Sequence, residues 1–202
     1  MAWVKRIHAL ASTGLHFGAH PFDQERYEEI AQITQHMLAD LGRVPIATIS
    51  QQFPEFGRGY ATPQVDVRGA VFNGSEVLLV QEKSDGLWTL PGGYADVGLS
   101  AAENVVKEVR EEASLTVECV KLYAVRHKAK HPYRADVRDF YKFFYLCRNL
   151  DGGSPAPGYE TNAAQYVPLN QLPPLSTART IEADLQLADS HRRDPQLAVF
   201  FD

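Results

Sequence analysis

One stretch constrains this chain more than any other: Leu90 to Leu115, LPGGYADVGLSAAENVVKEVREEASL. Leu90-Pro91 reads as a strand end and Gly92-Gly93 as a tight turn with a loop behind it. Ser100 and Glu103 stand in the S-x-x-E spacing of a capping box that opens a helix. Ala102, Val105, Val106, Val109 and Ala113 recur at helical spacing and mark its buried face. Glu108, Glu111 and Glu112 stand at i, i+3 and i+4, so their carboxylates leave the helix together from another face. Like charges so placed destabilise a helix, and the dipole disfavours them in its middle and last turns. No Lys or Arg is placed to neutralise all three. Clustered oxygen ligands of this kind suit Mg²⁺.

The chain has 202 residues, 45% of them hydrophobic, and a formal net charge of −5. That permits one good-sized domain, or a small one beside a medium one. The acidic balance argues against a broad polyanion-binding surface. Residues 1–60 hold five Lys/Arg and six Asp/Glu. Their helices therefore present no basic recognition face, and DNA binding is not expected. Cys119 and Cys147 have no metal spacing and suggest no disulfide scaffold; Cys147, in an apolar run, reads as a small core residue. No apolar stretch approaches the ~18 residues of a membrane span. MAWVKRIHALAS carries Lys5 and Arg6 inside its apolar part and reads as a helix rather than a signal peptide. A reducing, cytoplasmic location is the expectation.

In chain order, residues 1–16 form an amphipathic helix with Trp3, Ile7, Leu10 and Ala11 on one side. A second helix starts at Asp23, buries Tyr27, Ile30, Thr34, Leu38 and Leu41, and stops at Gly42. A short third follows Pro45 and runs to about Phe53. These helices hold too little apolar area to fold alone and are expected to pack on the rest of the chain or on a second subunit. Residues 54–64, PEFGRGYATPQ, form a Gly/Pro linker. Strands then follow: Val65 to Phe72, a hairpin turn at Asn73-Gly74, VLLVQEK, and Leu87 to Leu90. After the acidic helix come Leu115 to Arg126 and the aromatic-rich Asp139 to Arg148, with a basic turn between them. A Gly/Pro loop at residues 150–158 leads to a short strand, Gln165 to Pro168, and a helix from about Thr177 to Arg192. The apolar tail QLAVFFD is expected to dock.

The acidic stretch resembles the Nudix box, G-x5-E-x7-R-E-U-x-E-E-x-G-U, where U is a bulky aliphatic. Laid from Gly93, it matches at Glu108, Val109, Glu111, Glu112 and Leu115, behind the W-x-L-P-G-G of Trp88 to Gly93. It departs at Leu99 (Glu in the box), Lys107 (Arg) and Ser114 (Gly). The helical N-terminus with ATPQVDVRGAVF, EKSDGLWTLPGGYADVG, KHPY and LPPLS is similar to a bacterial Nudix subgroup bearing a helical N-terminal domain. Its members are described as ADP-ribose pyrophosphatase-like, some cleave CDP-choline, and they are typically homodimers. The resemblance implies a Nudix α/β/α sandwich around a mixed sheet, preceded by a small all-α N-terminal domain. It places a packing or dimerisation domain at 1–57 and a hydrolase domain at 58–202.

It further implies Mg²⁺-dependent (or Mn²⁺-dependent) hydrolysis of a nucleoside diphosphate linked to X, giving a nucleotide and X-phosphate. Glu108, Glu111 and Glu112 are the implied metal ligands, with Glu112 and Glu108 foremost and the Gly92 carbonyl added. Nudix enzymes draw their general base from the box helix or from an acid on a later loop. The later candidate is Glu160, whose bland reading is a solvated loop residue. Arg68, Lys83, Arg126, Lys128 and Lys142 are the cations available to phosphate, although any one of them is commonly a surface charge. Trp88 and Tyr60 are candidates for stacking, Trp88 more naturally for packing. His127 and His131 lack a third metal ligand. Asp96 lies in the box loop, where it is placed to hold the loop or meet a metal through water. Leu99 and Lys107 together alter the loop brace, with Leu99 packing as a substitute, and Ser114 in a left-handed cap would cost about 1 kcal/mol. Two other readings stay open: a catalytically weak nucleotide sensor, motivated by the departures, and an RNA-processing enzyme, motivated only by the basic run Arg126 to Arg138.

Overall fold

The structure is a computed structural model and describes residues 1–18, 20–53 and 59–202. It divides into two compact units, Met1–Gln64 with Ala135–Asp139, and Val65–Arg134 with Phe140–Asp202. The linker expected at 54–64 lies partly, and the boundary expected between residues 57 and 58 wholly, outside the described residues. The first unit also takes in a segment remote in sequence: Lys5 pairs with Asp139 at 3.0 Å and donates to the Arg138 carbonyl at 2.7 Å.

In the first unit, α1 (Ala2–Phe17) lies against α2 (Pro21–Gly42), and α3 (Ile46–Gln52) follows. Pro21, pre-set for the first helical turn, starts α2 earlier than Asp23; that residue instead sits in the first turn and pairs with Arg26. Gly42 remains helical, and Arg43 takes the left-handed conformation at φ 52°. The buried stripe also differs from expectation. Val4, Leu38, Ala39, Ile49 and Val137 form the core, whereas Trp3 is 84% exposed and Ile7, Leu10, Ile30, Ile33, Met37 and Leu41 are exposed with it. The helices meet through small side chains. A Cβ on Gly14 would lie 2.5 Å from the Tyr27 ring, so only glycine admits that ring. The larger apolar residues are left outside.

The second unit is built on a seven-stranded mixed sheet. β1 (Gln64–Asn73) and β2 (Glu76–Glu82) meet at the Asn73-Gly74 turn, with Phe72 opposite Val77. β3 (Trp88–Thr89) and β6 (Thr161–Pro168) both pair with β2, antiparallel. β1 continues beside β5 (Phe140–Asn149), which pairs antiparallel with β4 (Val117–His127). The tail docks as β7 (Phe200–Phe201), parallel to β4, with Ala124 opposite Phe200. α4 (Ala101–Ala113) covers one face through Val105, Val109 and Ala113, against Val67, Val71, Leu78 and Val80. α5 (Glu182–Arg193) covers the other through Leu185 and Ala188, against Tyr123, Ala124 and Phe144. Each fully buried Val, Leu or Phe contributes about 1.5–3 kcal/mol. α5 starts later than residue 177 because Arg179 and Thr180 turn back onto the Ser176 carbonyl. No described helix is long and apolar enough to cross a membrane.

Candidate active site

The Leu90–Ala95 segment runs beside β1. Gly69 donates to the Pro91 carbonyl, Val67 to that of Gly93, and Ala95 to that of Val65, at 2.9–3.0 Å. This brings Gly92 against the strand. Its φ is +143°, and a Cβ would stand 2.0 Å from the Val67 carbonyl oxygen, so the turn needs glycine for both reasons. α4 then faces the turn. The Gly92 N–H donates to Glu112 Oε2 at 2.9 Å, and a Cβ on Gly93 would lie 3.3 Å from Glu108 Oε2. Glu112 is only 5% exposed. Burial drives its carboxyl up to about 7, against the opposing pull of Arg68 and the Gly92 N–H, with Glu82 and Glu108 adding repulsion. Glu108 is raised as well, again by burial first, with Lys107 opposing. Glu111 is half-exposed and pairs with Lys107 at 3.2 Å.

The altered box is braced by a different pair. Lys107 Nζ reaches Asp96 at 3.0 Å, and Asn104 accepts from the Asp96 N–H at 2.9 Å while donating to the Ser100 carbonyl at 3.1 Å. Leu99 is 42% exposed and does not supply the packing expected of it. Lysine is a point charge on a flexible stem, so it reaches an acid in the loop without needing a matched carboxylate fork. The capping box of Ser100 and Glu103 forms in both directions. Ser114 takes the left-handed cap at φ 56°. Ser114→Gly is expected to stabilise the protein by about 1 kcal/mol, seen as a higher urea midpoint at unchanged slope.

Behind α4, the Gly/Pro loop is stitched to the helix end. Ala156 donates to the Ala113 carbonyl at 3.0 Å, and Gly158 and the Thr161 hydroxyl donate to that of Glu112 at 3.3 and 2.8 Å. A Cβ on Gly158 would overlap the Glu111 carbonyl. This seam carries Glu160, exposed, to the cluster, where its charge raises both Glu108 and Glu82. Lys83 joins the same corner through the Tyr159 carbonyl and ring.

Glu82 is the acid that the sequence reading missed. It is buried beside Arg179 at 3.2 Å, and burial, despite Arg179 and Arg68, raises its carboxyl. Strand parity was the available signal, because Glu82 shares a face with the buried Leu78 and Val80. Arg68 stands among these acids, but its fork is held by Asp66 at 2.9 and 3.0 Å, and it donates to the Leu90 carbonyl at 3.1 Å. Lys142, 1% exposed, is 2.6 Å from the same Asp66. Arg126 pairs with Asp184 at 2.8 Å, and Tyr133 donates to that carboxylate at 2.6 Å. Three of the five cations expected at the substrate, Arg68, Arg126 and Lys142, are thus tied to buried carboxylates. Trp88 packs in the core, and His131 pairs with Asp202.

A family profile described as NUDIX domain matches residues 62–186. The Bacillus subtilis protein YjhB, provisionally named an ADP-ribose pyrophosphatase, is 41% identical over 198 residues, covering 98% of this chain and 94% of its own. The chain belongs to the Nudix family. Nudix hydrolases act on pyrophosphate bonds, and this protein is one of these enzymes. A second profile, described as a UDP-X-like N-terminal oligomerisation domain, matches residues 1–53 of this Nudix protein. A crystal structure of an ADP-ribose pyrophosphatase from Streptococcus suis is 42% identical, with TM-score 0.64, covering 70% of this chain and all of that one. That of a UDP-X diphosphatase is 28% identical, with TM-score 0.64, covering 100% and 97%.

Proposed function

We propose that the protein hydrolyses the pyrophosphate of a nucleoside diphosphate linked to X, of the ADP-ribose or CDP-choline type, with Mg²⁺ (or Mn²⁺) as cofactor. The observation that carries this reading is the pair Glu108 and Glu112 turned onto the Gly92-Gly93 corner, with Glu112 buried and fixed by a backbone N–H. The donor set fits a hard divalent ion: the carboxylate oxygens of Glu108 and Glu112, to which the Gly92 carbonyl would be added. Among the described residues no three His, Cys, Asp or Glu converge as a closed cage. Mg²⁺ keeps several waters and needs only one or two carboxylates, so an open pair suits it. When bound, such an ion neutralises pyrophosphate charge and acidifies the attacking water. Glu108 and Glu112 would hold it, and Glu111 would lend charge from the rim. Lys107 and Asp96 keep the loop on α4. Glu160 is the candidate to take the proton of the attacking water, and Lys83 beside it, held at Tyr159 rather than at a carboxylate, is the candidate cation to meet phosphate. Arg68 positions the Leu90 carbonyl and the turn below it.

The replacement brace between Lys107 and Asp96 favours an active hydrolase over a silent sensor. Arg126 and His131 in ion pairs, with Arg138 paired to Asp136, weaken the RNA reading. Chelation with EDTA is expected to abolish turnover and added Mg²⁺ to restore it. Turnover indifferent to EDTA would refute the metal assignment.

Residues 1–57 are proposed as the dimerisation domain, 58–202 as the hydrolase domain, and the cytoplasm as the location. The matched oligomerisation profile and the exposed stripe Ile30, Ile33, Met37 and Leu41 support a homodimer. Ile33→Glu with Met37→Glu is expected to raise the dimer Kd about 100-fold or more while helicity persists, checked by light scattering and circular dichroism.

A further inference from the structure

We propose that Cys119 and Cys147 are a peroxide-oxidised pair that closes to a reversible intramolecular disulfide. Cys119 on β4 and Cys147 on β5 are direct partners in the antiparallel register. Opposed residues in such strands have Cα atoms ~4.5–5.5 Å apart, within the ~4.4–6.8 Å that a disulfide spans. The sulfurs already stand 3.7 Å apart, so side-chain rotation without backbone movement brings them to the ~2.05 Å of a bond. Both thiols are free, Cys119 partly exposed and Cys147 buried under α4.

The two sulfurs have different parts. The accessible Cys119 attacks, and its thiol is lowered by the hydrogen bond with Cys147, which in turn is raised. The Cys119 thiolate displaces hydroxide from the peroxide O–O bond and becomes a sulfenic acid. Cys147 sulfur then displaces the sulfenic oxygen, which leaves as water with the Cys147 proton. Two thiols and one hydrogen peroxide give one disulfide and two waters. Cys119 also gives up its contact with the Ala102 carbonyl, 3.5 Å away in the first turn of α4, the helix that carries the three glutamates.

The test is intact mass with peptide mapping, under denaturing and non-reducing conditions, after hydrogen peroxide treatment. The wild type is expected to lose about 2 Da, to yield a Cys119–Cys147 peptide within a single chain, and to recover with dithiothreitol. Cys147→Ser is expected to hold a sulfenic acid at Cys119 that dimedone traps, and Cys119→Ser to keep its thiol. The proposal is overturned if wild-type Cys119 proceeds to a sulfinic acid while Cys147 stays a thiol. It is equally overturned if both thiols persist at peroxide levels that oxidise the Cys147→Ser variant, or if the disulfide joins two chains.

Discussion

Glu112→Gln is expected to lower kcat by about 10³-fold, equivalent to about 4 kcal/mol of transition-state stabilisation. The amide is close in shape to the carboxylate and still offers an oxygen to the Gly92 N–H, 2.9 Å away in the wild type. Folding is therefore spared, and the lost quantity is negative charge at the metal position. The three glutamates should rank by burial and aim. Glu112 is buried and fixed, Glu108 is half-buried against Gly93, and Glu111 is half-exposed on Lys107. Loss of kcat should thus fall in the order Glu112, Glu108, Glu111, with circular dichroism unchanged. A Glu112→Gln enzyme with wild-type Mg²⁺-dependent turnover would remove the glutamate from the site.

Asp66→Ala is expected to cost about 3–5 kcal/mol of stability, because it strands the charges of Arg68 and Lys142 in the interior. Asp66 takes both oxygens of its carboxylate into the pairing, with Arg68 at 2.9 and 3.0 Å and Lys142 at 2.6 Å. For a chain of this size that is a fall in Tm of roughly 10 °C. Burial alone would raise the Asp66 carboxyl; Arg68 and Lys142 together outweigh it and hold it at about 2, against an ordinary 3.8. The unfolded state therefore binds more protons in this window, and stability rises with pH there. The Asp66 contribution is complete above pH 3.8 and lost on acidification towards about 2, amounting to about 2 kcal/mol. Denaturant midpoints across that window should slope for the wild type. Asp66→Asn, which cannot titrate, should lose that component of the slope.

What was legible in the sequence was local. The capping box, the apolar stripe of α4 and the common face of its glutamates follow from 3.6-residue geometry, and the Asn73-Gly74 hairpin from turn chemistry. What was hidden depends on partners far along the chain. Lys107 and Asp96 meet only when the box loop folds back over α4. Asp66 holds Arg68 from its own strand β1 and Lys142 from β5, so cations that read as phosphate ligands are structural partners of a carboxylate. In α2 the stripe expected at Tyr27, Ile30, Thr34, Leu38 and Leu41 is buried at Thr34 and Leu38 but exposed at Ile30 and Leu41, and the small Ala31 and Ala39 are buried in their stead. Tyr27 seats on Gly14 of α1, and Ile30, Ile33, Met37 and Leu41 face outward. The segment Ala135–Asp139 joins the first unit through Lys5 and Gln64, a pairing that no local pattern announces.

Turnover at the glutamate corner can be measured outright. It is tested most directly by incubating the purified protein and Mg²⁺ with a panel of nucleoside diphosphates linked to sugars or amino alcohols, and identifying both products by mass. A nucleoside monophosphate and the matching X-phosphate are expected from ADP-ribose or CDP-choline, and neither with Glu112→Gln. Nucleotide binding without cleavage of any compound in the panel would contradict it.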